Sequence, residues 1–184
     1  MNKRTRILLY GSNVWYLGEG MLGPLFAVFA QKVGGSVLNI SWAWATYLVV
    51  TGVMYIIVGK LSRGAKNQAR IMIFGYALGA FLTFGYVFVS SPLELFIIQG
   101  GLGVAMALST PTWHTLYSKY GDKSNHSYEW GLYGGQGNIF AGAAVFIGGF
   151  IVSYFSFTTL FVTMGAVQII ATVYQMRILK EIRR

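Results

Sequence analysis

One carboxylate, Glu19, stands midway along a long apolar run, flanked by Gly18 and Gly20. An acid in hydrocarbon is costly unless it is paired, hydrated or protonated, so Glu19 suits a proton carrier or a cation-binding site. A protonated carboxyl hydrogen-bonded to a neighbouring helix is the structural alternative. Ser12, Tyr16, Glu19 and Gly23 follow i, i+4, i+7 and i+11 and share one helical face, with Trp15 beside them. A water-accessible cavity wall needs such a mixed stripe, and aromatic packing gives a similar one.

Other apolar runs carry further groups: Gln99, Ser109, Thr110 and Trp113 in the fourth, Gln136 and Asn138 in the fifth. Each can serve as a ligand or as an interhelical hydrogen bond. His114 could titrate or turn toward an interface, and His126 reads as solvated. Glu94, Asp122, Glu129 and Glu181 lie at span ends or in connections and read as solvated or interfacial charges. Trp42, Trp44 and Tyr47 read as an interfacial aromatic belt.

Six apolar runs position these residues: 7–30, 37–61, 71–89, 92–117, 130–154 and 157–176. Each can cross a bilayer core of about 30 Å as an α-helix rising about 1.5 Å per residue. With 55% hydrophobic and 10% charged residues, the chain reads as an all-α membrane protein. A single six-helix transmembrane bundle over residues 1–184 is expected.

The net charge of +9 would suggest nucleic acid in a soluble protein. Its placement argues otherwise: of 14 lysines and arginines, only Lys32 falls on the opposite side of the implied membrane. The positive-inside rule then puts both termini in the cytoplasm, with the bundle in the cell's inner membrane and no nucleic-acid partner. The first run is too long for a signal-peptide core and is expected to stay in the bilayer. With no cysteine, disulfides and thiol chemistry are excluded. No phosphate loop, metal cluster or haem-ligand pair is present, so no cofactor or metal is expected. Ser109 and His114 share one span and lack the context of an intramembrane protease, so no enzyme is expected.

Outer connections are short and inner ones longer, which predicts antiparallel pairing of spans 1 with 2, 3 with 4 and 5 with 6. Gly75 and Gly79 form a small-xxx-small pattern suited to close helix approach. Pro24, Lys32 and Gly34 recur at a constant offset as Pro111, Lys119 and Gly121, with Phe26 matched to Trp113. That offset divides the chain into two three-span units of opposite orientation, an inverted repeat, and sets Met106 at the depth of Glu19.

Several local sequences carry a resemblance. Gly59-Lys-Leu-Ser-Arg-Gly-Ala-Lys-Asn, between spans 2 and 3, resembles a cytoplasmic loop motif, with Ser62 and Arg63 where its acid would be. Gln99-Gly-Gly-Leu-Gly-Val-Ala resembles a span-4 motif whose arginine is replaced by Phe96. The small residues from Gly137 to Gly149 have antiporter-motif spacing without its proline, and Phe155-Ser-Phe-Thr-Thr-Leu-Phe resembles the corner entering span 6. Leu17-Gly-Glu-Gly-Met-Leu-Gly-Pro-Leu resembles the glycine-proline pattern of drug-exporting members. In order and spacing the chain resembles one six-span half of a major facilitator superfamily transporter.

That resemblance implies a cavity lined by spans 1 and 4 and bordered by span 5. The expected cavity residues are Ser12, Trp15, Tyr16, Gln99, Met106, Ser109, Thr110, Trp113, Gln136 and Asn138, with Glu19 for proton or cation coupling. The missing loop acid and span-4 arginine mean that the family's charge networks do not carry over. Six spans make one wall of such a cavity, so a parallel homodimer with a shared central cavity and alternating access is expected. Two symmetric Glu19 carboxyls would share a proton or be neutralised by a cation. The expected function is secondary transport of an organic cation or amphipathic small molecule, with proton coupling as one option. A non-transporting scaffold or interaction subunit, or half of a longer or heteromeric transporter, stays open.

Overall fold

The computed structural model describes residues 1–183, and among them every regular element is helical. The α-helices are α1 (Lys3–Gly20), α2 (Leu25–Lys32), α3 (Val37–Leu61), α4 (Ala65–Gly85), α5 (Pro92–Tyr120), α6 (His126–Tyr154), α7 (Phe157–Gln175) and α8 (Arg177–Arg183). Short polar residues start several of them. The Asn2 side chain accepts the Thr5 N–H at 2.9 Å, and Ser36 and Ser156 accept those of Asn39 and Thr159. Ser91 and Glu94 form a reciprocal capping box at α5, with Pro92 in the first turn where its missing N–H costs nothing.

Among the described residues, five stretches are long and apolar enough to cross a membrane: Val37–Leu61, Ala65–Phe88, Pro92–Tyr120, Lys123–Tyr154 and Phe157–Ile182. Residues 7–30, expected as one continuous span, form two helices separated by a turn at 21–24. Pro24 is the physical reason, because it has no N–H to offer the carbonyl of Gly20, and Gly18, Gly20 and Gly23 before it loosen the last turn. Met21 and Pro24 keep right-handed helical angles, so the chain does not reverse there. Pro111 behaves differently and lies inside an unbroken α5. Around it the hydroxyls of Ser109, Thr112 and Thr115 donate to carbonyls three or four residues back, taking up acceptors on the ladder.

Of the helices joined by short outer turns, α4 and α5 pack on each other as expected, whereas α3 packs mainly on α5 rather than on α1 or α2, and α6 packs on α1 more than on α7. The main neighbours of α1 are α6 and α7, those of α5 are α3 and α4, and α4 also packs on α7, joining the two groups. Small residues decide these pairings more than loop length does. A Cβ on Gly75 would sit 2.7 Å from the Ser109 nitrogen and 2.8 Å from the Ala105 oxygen, so only glycine lets α4 lie this close to α5. Gly148 of α6 likewise accommodates the Met21 carbonyl at the break.

Two apolar clusters fill the bundle ends. Phe29, Tyr86, Leu95, Phe157 and Phe161 belong to one, and Leu8, Met72, Trp113, Leu116 and Ile178 to the other. At the second end the termini converge: Lys3 pairs with Glu181 at 2.7 Å, and Asn2 donates to the Tyr120 carbonyl. The outside of the bundle is apolar, with Phe81 75% and Phe146 77% exposed, far more greasy surface than water tolerates.

Candidate functional site

Between the two clusters lies a cavity of about 300 Å3. Glu19, in the last turn of α1, faces it together with Gly20, whose carbonyl Pro24 leaves without its helical partner. The last turn of a helix presents carbonyl oxygens and the negative end of the dipole, which disfavours an anion there and favours a cation. Trp15, one turn earlier, lines the same cavity beside Glu19. No lysine or arginine among the described residues reaches ion-pair distance of Glu19. Aromatic and sulfur groups complete the wall: Phe26, Trp44, Tyr47, Tyr86, Met106 and Met164.

A second, smaller cavity of about 30 Å3 touches the first at Trp15, which lines both. Ser12, Tyr16, Ser109, Thr110, Trp113, His114 and Tyr133 enclose it. The hydroxyls of Tyr16 and Tyr133 are 2.6 Å apart, and the Tyr133 oxygen is 3.3 Å from His114 Nε2. Trp113 stacks on Tyr133 at 4.5 Å and fixes that ring in place.

The residues singled out in the sequence therefore distribute over two spaces. Glu19, Trp15, Gln99 and Met106 line the larger cavity, and Ser12, Trp15, Tyr16, Ser109, Thr110 and Trp113 line the smaller. Gln136 lines neither; its Oε1 accepts from the amide of buried Asn13 at 2.7 Å and ties α6 to α1. Asn138 lies on the exposed face of α6 and donates to the Gly134 carbonyl.

Sequence reading did not single out Gln168 of α7. Its side chain is 3% exposed, lines the larger cavity, and its Oε1 finds no partner among the described residues. Gly18 makes room for it, since a Cβ there would meet Gln168 Cγ at 2.8 Å. Trp44 and Tyr47, read as an interfacial belt, stack on each other at the wall of the larger cavity. Glu129, read as a solvated or interfacial charge, is 3% exposed: its Oε2 accepts the Asp122 N–H at 2.9 Å and fills the space a side chain at Gly121 would take. Asp122 itself is exposed, and the hydroxyl and N–H of Ser124 hold its carboxyl below the usual value.

The family model described as Major Facilitator Superfamily matches residues 8–183. An uncharacterized MFS-type transporter of Bacillus subtilis, YitZ, is 18% identical over 79% of this chain and 88% of its own length. The uncharacterized MFS-type transporter MJ1560 of Methanocaldococcus jannaschii is 25% identical over 90% of this chain but 43% of its own. An uncharacterized Pyrococcus woesei protein is 34% identical over 45% of this chain and 58% of its own length. The chain thus spans less than two thirds of two of these three relatives. With a family match over nearly its whole length and five helices among the described residues fit to cross a bilayer, the chain is a multi-pass membrane protein of the Major Facilitator Superfamily, a family of transporters and not of enzymes.

Proposed function

We propose that the chain is a secondary transporter for an organic cation or amphipathic small molecule, coupled to protons through Glu19. One observation carries this reading: a carboxylate with no cationic partner among the described residues faces a cavity walled by aromatic rings and methionines. A cation there gains Coulomb attraction from Glu19, ring-face attraction from Trp15, Trp44 or Tyr47, and the free carbonyl of Gly20. A volume of about 300 Å3 matches the lower end of small-molecule sites. A sugar would call for more hydroxyl and amide partners than this wall offers.

The transporting unit is a parallel homodimer whose chains each make six passes, α1 and α2 together forming the first. The passes form two inverted triplets, with both termini in the cytoplasm of an inner-membrane protein. Support comes from the one-sided basic residues and from YitZ, named a transporter and matched over 88% of its length. The 43% coverage of MJ1560 favours a second reading, in which a chain of this kind is half of a longer transporter.

Ethidium uptake into proteoliposomes, with native mass spectrometry of the same preparation, tests the proposal. Saturable uptake by a dimer is the expected result; a stable monomer without uptake would favour the scaffold reading.

A further inference from the structure

We propose that Tyr16, Tyr133 and His114 form a proton relay between Glu19 and the cytoplasmic side, an inference that rests on the proton-coupled reading above. Three observations on different elements support it. The hydroxyls of Tyr16 on α1 and Tyr133 on α6 are 2.6 Å apart, and the Tyr133 oxygen is 3.3 Å from His114 Nε2 on α5. His114 also lines an open groove with Thr115, Ser118, Lys119 and Trp130, at the bundle end where the basic residues gather. At the other end, Tyr16 lies three residues before Glu19 on the same helix face, and the cavity beside it is large enough for a water. That cavity abuts the Glu19 cavity at Trp15.

Each link both accepts and donates a hydrogen bond, as a relay requires. A proton leaves the Glu19 carboxyl for water in the larger cavity and passes beside Trp15 to water at the Tyr16 oxygen, and Tyr16 passes its own proton to Tyr133. Tyr133 passes its own to His114 Nε2. Both phenols end neutral, the imidazole becomes imidazolium, and its Nδ1 proton goes to water in the groove; no electron moves. The titratable groups facing His114 are Tyr133 from α6, Tyr16 behind it from α1, Tyr76 across the small cavity from α4, and Lys119 from its own helix. Around Glu19 they are phenols, of Tyr16, Tyr47, Tyr76, Tyr86 and Tyr133. These phenols add no charge that would block the route.

Infrared spectroscopy after a pH jump, on the full chain in lipid, follows the Glu19 carboxyl band, assigned by its loss in Glu19→Gln. Tyr133→Phe keeps the ring that stacks on Trp113 and removes only the hydroxyl. It should slow protonation of Glu19 by about tenfold or more while leaving the midpoint of the titration in place. Tyr16→Phe should do the same from another helix, guarding against a folding defect in one variant. Native rates in both variants would overturn the relay and leave the coupling role of Glu19 standing. A native Glu19 band that does not respond to pH would overturn the coupling reading, and the relay with it.

Discussion

Gln168 and Glu19 face one cavity from different helices, but only Glu19 stood out in the sequence. An acid inside an apolar run is conspicuous because its burial is costly, whereas an amide in a helix is ordinary until its neighbours are known. The structure makes Gln168 informative, since its oxygen is buried without a partner among the described residues. Gln168→Leu should therefore leave thermal stability in detergent unchanged or raise it, because no internal hydrogen bond is lost. The same variant should weaken ethidium binding about tenfold, read by fluorescence titration, if the amide contacts the ligand. Trp44 and Tyr47 show a related limit: aromatic residues near a span end suit a lipid interface and a cavity mouth equally well, and Trp44 is half exposed while it stacks on Tyr47 beside the cavity.

At the scale of elements, helix starts were written in single residues such as Ser36, Ser91 with Glu94, and Ser156. The break between α1 and α2 was not, because hydropathy runs on through Met21, Leu22 and Leu25 while the hydrogen-bond ladder fails at Pro24. Pro24→Ala restores a donor for the Gly20 carbonyl. Its expected result is a higher unfolding temperature and slower ethidium uptake, because the freed carbonyl beside Glu19 is lost. Gly75→Ala should act in the opposite sense on stability. Its methyl group meets backbone of α5 at 2.7 and 2.8 Å, and forcing the helices apart costs about 1–3 kcal/mol, measurable by unfolding in mild detergent. The small-xxx-small pattern announced that close approach, but which helix Gly75 faces depends on how α4, α5 and α7 assemble, and no local pattern encodes that.

For the whole molecule, membrane class was legible because it rests on properties summed over the chain, in long apolar runs, and the family because weak local motifs keep their order and spacing along it. The partition of the cavity residues into two spaces was not legible, since it depends on Trp15 standing between them. In the proposed dimer each chain contributes one Glu19 to a shared pathway, and coupling requires that this carboxyl gain and lose a proton during the cycle. The most direct measurement is ethidium transport by native protein and Glu19→Gln in proteoliposomes, with and without an imposed pH gradient. The native protein should drive ethidium against its concentration gradient when protons flow the other way. Glu19→Gln should abolish that accumulation. Accumulation driven by the pH gradient to the native level in Glu19→Gln would contradict the account.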